Sequence, residues 1–322
     1  EILIPNEDAV EKVNEHLEGV SKIIGIGSGV IQDLCKYVSH KSGIPYYVVA
    51  TAPSMDGYTS TGAAMIMGGM KVTYAAGLPT VLVADPAILK DAPMDMIQAG
   101  YGDIVGKYSA LNDWRLSQVV NGEYFCQDIY DMTMDMVHKT LKLADGLLKR
   151  EEESVKVLME ALVIVGIAMS YVDCSRPASG SEHHLSHFFE ITGILDKKEY
   201  FSHGIDVVFS SVETAKLREK LLALEKIPET SEYDEALRIS ETERIYGKLG
   251  RETLALQERV GFYREIEKRL SVYRNRWEDI RKLLSEAPTF KEMKEMLTDV
   301  GMDYSDFEKY YGRDSINDAT LY

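Results

Sequence analysis

Apolar positions along this chain change their period once. Over about the first eighty-five residues, short apolar runs bounded by glycine, proline and small polar residues alternate with helical stripes, as in an α/β arrangement. The pattern predicts a helix from about Asn6 to Leu17, a strand over Lys22 to Ile26, a turn carrying Gly25, Gly27 and Gly29, and a helix running through Lys36. A second strand is expected from Pro45 to Thr51. A strand pair is expected at Lys71 to Tyr74 and Thr80 to Ala84, joined through Gly77-Leu78-Pro79, and Asp85-Pro86 reads as a stop signal.

Beyond that point strand patterns vanish and helix follows helix. The clearest stripe runs from Arg251 to Ser285, where Leu256, Val260, Tyr263, Ile266, Leu270, Tyr273, Trp277, Ile280 and Leu284 step by threes and fours and predict a core-facing helical surface. The expected organisation is an α/β N-terminal domain, residues 1–86, and an all-α C-terminal domain, residues 87–322, with no flexible linker between them. A cleft between two such parts is a favoured place for a ligand.

Composition narrows the function classes. With 45% hydrophobic and 27% charged residues in 322, the chain can bury a large core, so disorder is not expected. A net charge of -16 opposes nucleic acid or an anionic membrane surface as partner. It also requires any pocket for an anion to be locally positive, through a metal ion, helix N-termini or a lysine such as Lys107. Cys35, Cys126 and Cys174 form no CxxC and no even framework, so free thiols in a reducing cytoplasm are expected. The longest apolar run, Ala161 to Met169, is too short to span a bilayer and no charged-then-apolar leader opens the chain, so no membrane insertion is expected.

Candidate chemistry sits in three places. GIGSGVIQDLCK has the make-up of a phosphate cradle, with glycines that let the backbone approach an anion and a helix N-terminus behind them, although its spacing is not GxGxxG. A tight turn that needs glycine for positive φ explains the same string. TAPSMDGYTSTGA places hydroxyls and one carboxylate directly after a buried-looking strand, where open α/β sheets bind ligands; Asp56 is a candidate for orienting a substrate hydroxyl, and an Asx-type turn is the simpler account of Asp56-Gly57. Four of the seven histidines, His183, His184, His187 and His203, fall in one short stretch. Imidazole is a common ligand of catalytic metals, usually joined by a carboxylate, and Asp103 is the candidate acid. The i, i+4 spacing alone is also explained by a surface pair or a hydrogen-bonded core histidine.

GSGVIQDLCKY, TAPSMDGYTS, GYGDIVGKYSALNDW, PASGSEHHLSH and SHGIDV, in this order, resemble the sn-glycerol-1-phosphate dehydrogenases, especially the bacterial AraM type, within the wider group of iron-type alcohol dehydrogenases, glycerol dehydrogenase and dehydroquinate synthase. The likeness runs from Glu1 to about residue 210, and the helical tail matches only in character. It implies a dehydroquinate synthase-like fold, with an α/β nucleotide-binding domain and a helical metal- and substrate-binding domain. It also implies reduction of dihydroxyacetone phosphate to sn-glycerol 1-phosphate with NAD or NADP and one divalent ion, nickel or zinc. Carried over by position, Asp103, His183 and His203 hold the metal, while Asp56, Asp103 and His187 meet the small phosphorylated substrate. Gly29, Val30, Ile31, Gln32, Asp33, Thr51, Ala52, Pro53, Ser54 and Ser60 line the nucleotide. Dimerisation rests on the likeness alone, and His184 is left a structural role.

Two departures stand out. The family's further N-terminal βα segment, with its acidic residue near the adenosine ribose, has no counterpart in this sequence, which leaves NAD against NADP open; and Gln32 stands where asparagine is expected. Rival readings are a dehydrogenase of glycerol or another unphosphorylated polyol on the same site, and a catalytically silent metal-binding relative.

Overall fold

In the computed structural model, residues 4–227, 229, 234–261 and 265–321 are described. After α1 (Glu7–Asn14), strand β1 (Ile23–Gly27) feeds α2 (Gly29–Ser42), which returns the chain to β2 (Tyr46–Ala50), parallel to β1 with Gly25 opposite Val48. None of Gly25, Gly27 and Gly29 has a positive φ. They serve close packing instead: a Cβ on Gly25 would lie 2.7 Å from the Cys35 sulfur, and one on Gly27 2.7 Å from the Ile31 side chain, so α2 settles directly on β1.

The expected strand pair is replaced by another pairing. Strand β3 (Gly62–Met67) and β4 (Met70–Ala75) form an antiparallel hairpin, and β5 (Val81–Val83) lies parallel to β2 in a sheet of order β1-β2-β5. Gly68 and Gly69, both at positive φ, supply the two-residue turn that right-twisted hairpins favour, so residues 70–75 fold back on 62–67 and leave 81–83 for the sheet. One face of that sheet packs inward through Ile23, Tyr46, Val48 and Ala50. The other presents Ile24, Ile26, Val81 and Val83, 43–66% exposed, although parallel sheets are usually covered on both faces.

From Pro86 the described elements are helices: α3 (Pro86–Leu89), α4 (Met94–Asn121), α5 (Gln127–Leu141), α6 (Ala144–Leu148), α7 (Glu152–Val172), α8 (Ser181–Asp196), α9 (His203–Leu222) and α10 (Glu235–Tyr246). They continue with α11 (Gly250–Val260), α12 (Ile266–Asn275), α13 (Trp277–Leu284), α14 (Phe290–Asp299) and α15 (Tyr304–Leu321). α4 is buried on nearly every side, and α9 packs along it. α7 extends well beyond the apolar run singled out above and is long and apolar enough to cross a bilayer, with a mean hydropathy of 2.0. Here it is packed on α5, with Leu158, Leu162 and Val165 buried.

The stripe at 251–285 does not form one face. Gly261 turns left-handed after α11, and Arg276 leaves helical geometry between α12 and α13. As a result Leu256 and Val260 are exposed, Tyr263 lies outside the described residues, and Trp277, Ile280 and Leu284 make a small cluster with Val120. The main core runs unbroken past residue 86, joining Leu34, Val48 and Tyr58 to Leu162, Phe189 and Val208.

Candidate metal and nucleotide site

A cavity of about 750 Å³ opens between the N-terminus of α2, the loop after β2, the β3–β4 hairpin, α8 and the start of α9. Glycines set its floor. A Cβ on Gly100 of α4 would lie 1.8 Å from the Pro53 carbonyl oxygen, and one on Gly204 of α9 would lie 1.9 Å from that of Ala99. Only hydrogen at these positions lets α4 meet the loop and α9 meet α4, which carries Asp103 and His203 toward each other.

At that crossing the charges are buried and paired. Lys107 Nζ donates to Asp103 Oδ1 at 2.6 Å and lies 2.7 Å from Asp56 Oδ2, and the Asp56 N–H donates to Asp103 Oδ2 at 2.8 Å. Burial alone would lower the Lys107 pKa, but Asp103 and Asp56 reverse the sign and hold the ammonium above its ordinary range. The Asp56 carboxyl is pushed up, first by burial and then by the Asp103 charge. One ammonium against two carboxylates leaves the trio with one uncompensated negative charge when all three are ionised.

The histidines complete the cluster. One donor atom each from Asp103, His183 and His203 lies within 4.8 Å of the others, and so does one each from His187, Glu190 and His203. His183 Nδ1 stands 2.6 Å from Glu182 Oε1, and Nε2 is the atom that faces Asp103 Oδ1, at 3.9 Å. With Nδ1–H donating to Glu182, Nε2 keeps a lone pair, the arrangement that orients metal-bound imidazoles. The His187 and His203 pKa values fall well below the ordinary range, through burial and then the Lys71 ammonium, so both rings are neutral at neutral pH. His203 Nδ1 is buried without a hydrogen-bond partner among the described residues. That orphaned nitrogen, with a carboxylate and a second imidazole at hand, suits a borderline divalent ion such as zinc or nickel. His184 is exposed and takes no part in the ring contacts that join the other three.

Of the residues expected at the nucleotide, Gly29, Val30, Asp33, Ser54 and Ser60 line the cavity. Ile31, Gln32, Thr51, Ala52 and Pro53 are not among its lining. Ile31 packs under Gly27, and the Gln32 amide donates to the Tyr58 carbonyl at 3.1 Å. Ala52 accepts from the Tyr58 hydroxyl at 2.7 Å. The Ser60 hydroxyl is held by Lys36, whose ammonium also donates to the Gly57 and Gly62 carbonyls and so stitches this loop to α2. Burial pushes the Asp33 carboxyl up to about 6 against the pull of Lys36 and Lys71.

Sequence reasoning passed over Glu182, Glu190 and Lys71. The two acids carried a signal, since Glu182 adjoins His183 and Glu190 follows His187 by three, on one helical face. Lys71 carried none, because its place depends on the hairpin pairing.

The family profile described as iron-containing alcohol dehydrogenase matches residues 4–93. The glycerol-1-phosphate dehydrogenase [NAD(P)+] of Bacillus licheniformis is 36% identical over 200 residues, covering 62% of this chain and 50% of that protein. The protein of the same name from Sulfurisphaera tokodaii is 38% identical over 193 residues, covering 59% and 55%. This chain thus spans about half the length of the curated relatives it matches, and the resemblance read from its motifs is borne out. Among solved structures, an archaeal Red Sea brine pool alcohol dehydrogenase overlays with a TM-score of 0.59 at 13% identity, covering 100% of this chain and 76% of that one. A probable glycerol dehydrogenase from Sinorhizobium meliloti overlays at 0.56 and 18%, covering 76% and 67%. Both support the α/β-plus-helical fold.

Proposed function

We propose, on the premise that the matched part of this chain is of the iron-containing alcohol dehydrogenase kind, that it reduces dihydroxyacetone phosphate to sn-glycerol 1-phosphate with NAD(P)H at a divalent ion held by Asp103, His183 and His203. The observation that carries this reading is the meeting of those three donors from α4, α8 and α9, beside an orphaned imidazole nitrogen.

When bound, the ion supplies Lewis acidity against the charge that builds on the reduced carbonyl oxygen, and the nicotinamide supplies the hydride. The chain's own groups do the rest. Glu182 holds the His183 ring with Nε2 toward the centre. Lys107 cancels one of two neighbouring carboxylates, so the site repels an anionic substrate less. Asp56 and His187 border the substrate space, and His187, neutral through burial, relays the required proton by taking one on its free nitrogen as it gives one from the other. Gly29 and Val30 open α2 and line the cavity, and N–H groups in a first helical turn, which have no intrahelical acceptor, suit the nucleotide's pyrophosphate. Free cysteines are consistent with a cytosolic setting.

The lining is acidic, with Asp33, Asp56, Asp173 and Glu190, and this favours as a second reading an unphosphorylated polyol. Relative turnover of the phosphorylated and free ketones separates the two. For the site itself, His203→Ala in the full-length polypeptide is expected to weaken zinc or nickel binding at least about tenfold and to remove dihydroxyacetone phosphate-dependent NAD(P)H oxidation. Full metal content together with full activity in that variant overturns the assignment.

A further inference from the structure

A phosphorylated substrate poses a problem in this cavity. Four carboxylates line it, and among its described lining residues Lys71 is the one lysine or arginine. The two other lysines of the neighbourhood are already engaged. Lys36 gives its protons to Gly57, Ser60 and Gly62, and Lys107 lies between Asp103 and Asp56.

Lys71 is differently placed. It stands on β4 opposite Ile66, its side chain 11% exposed, and its ammonium meets Glu190 Oε2 of α8 at 2.5 Å. One of its three N–H donors is used there, and Lys71 lines a cavity that also holds His187 and His203. A Glu190 carboxylate oxygen lies within 4.8 Å of a ring nitrogen of His187 and of His203, so the Lys71–Glu190 pair borders the candidate metal corner. A ketone carbonyl and the phosphorus of a three-carbon phosphate ester are separated by a few bonds of about 1.5 Å each, so one substrate can address both.

We infer that Lys71, held by Glu190, is the cation that grips the phosphate group of the substrate and selects a phosphorylated ketone over the free one. This rests on the function proposed above and names the specificity residue of that same site. The pairing with Glu190 gives the long lysine stem a fixed direction, and the hairpin that carries it forms part of the cavity wall. Nucleotide phosphates share the same chemistry, so the test separates the two sources.

The experiment compares the unmodified full-length polypeptide with Lys71→Met and Lys71→Arg, after thermal melts establish that each is folded. The ratio of kcat/KM for dihydroxyacetone phosphate over dihydroxyacetone is expected to fall about 10- to 100-fold in Lys71→Met, mainly through KM, with partial recovery in Lys71→Arg. NADH affinity, read by fluorescence, is expected to stay within about twofold of the unmodified protein, as fits a charge that serves the substrate's phosphate. Calorimetric titration of the metal-free proteins with inorganic phosphate is expected to show binding that weakens at least about tenfold in Lys71→Met. An unchanged substrate ratio, a weakened NADH affinity without loss of the ratio, or phosphate binding that ignores the substitution overturns the inference. Should the unmodified protein turn over neither ketone, the functional reading fails, while the phosphate titration still decides for or against Lys71.

Discussion

At the scale of single residues, the cavity is a place where burial and charge compete. Asp33 shows the balance most simply: desolvation outweighs two lysines and carries its pKa from 3.8 to about 6. Below 3.8 the carboxyl is protonated in folded and unfolded chains alike. Between 3.8 and 6 only the native protein keeps the proton, so stability declines as pH rises through that window and carries the full cost above it. Asp33→Asn, which keeps an acceptor for the Ala64 N–H, is therefore expected to be more stable than the unmodified protein at pH 7.5 by about 1–3 kcal/mol, with the gap closing below about pH 4. Urea midpoints at the two pH values check this, and a gap that widens on acidification contradicts it. The residue types themselves were legible in sequence. Asp103, His183 and His203 are named by their motifs, whereas Lys71 and Glu182 gain meaning only through neighbours that folding brings.

At the scale of elements, the site depends on how closely two helices approach. Gly204 on α9 touches the Ala99 backbone of α4, and Gly102 returns the contact, since a Cβ there would lie 2.5 Å from the Gly204 oxygen. Alanine is the better helix former by about 1 kcal/mol. A methyl 1.9 Å from a carbonyl oxygen cannot be rotated away, however, and overpacking of this kind costs about 1–3 kcal/mol or more. Gly204→Ala is thus expected to lower the denaturation midpoint and also to weaken metal binding, because His203 precedes the displaced residue. A stabilised variant with unaltered metal affinity counts against the crossing as described. The hairpin teaches a complementary lesson. The strand pair expected across Gly77-Leu78-Pro79 gives way to one across Gly68-Gly69, a two-residue glycine turn that is itself a local hairpin signal.

At the scale of the whole molecule, the change from strand to helix near residue 86 is not matched by a break in the core, which passes from Leu34 and Tyr58 to Leu162 and Phe189. Thermal unfolding is therefore expected as one cooperative transition, with far-ultraviolet circular dichroism and Trp114 fluorescence in a Trp277→Phe background superimposing. Two resolved steps argue instead for separately folding halves. The apolar outer face of the sheet, with Ile24, Ile26, Val81 and Val83, departs from the two-sided burial usual for parallel sheets. By itself the sequence determined the α/β-then-helical order, the glycine-rich step from strand to helix and the candidate acid and histidines, because periodicity and residue chemistry are local properties. Only the tertiary structure decided which strands pair, that the 251–285 stripe is broken, and that candidate donors from three helices share one corner of a cavity whose described lining holds one lysine, Lys71. These outcomes depend on contacts between residues far apart in the chain, and such contacts are fixed by packing and charge compensation in three dimensions.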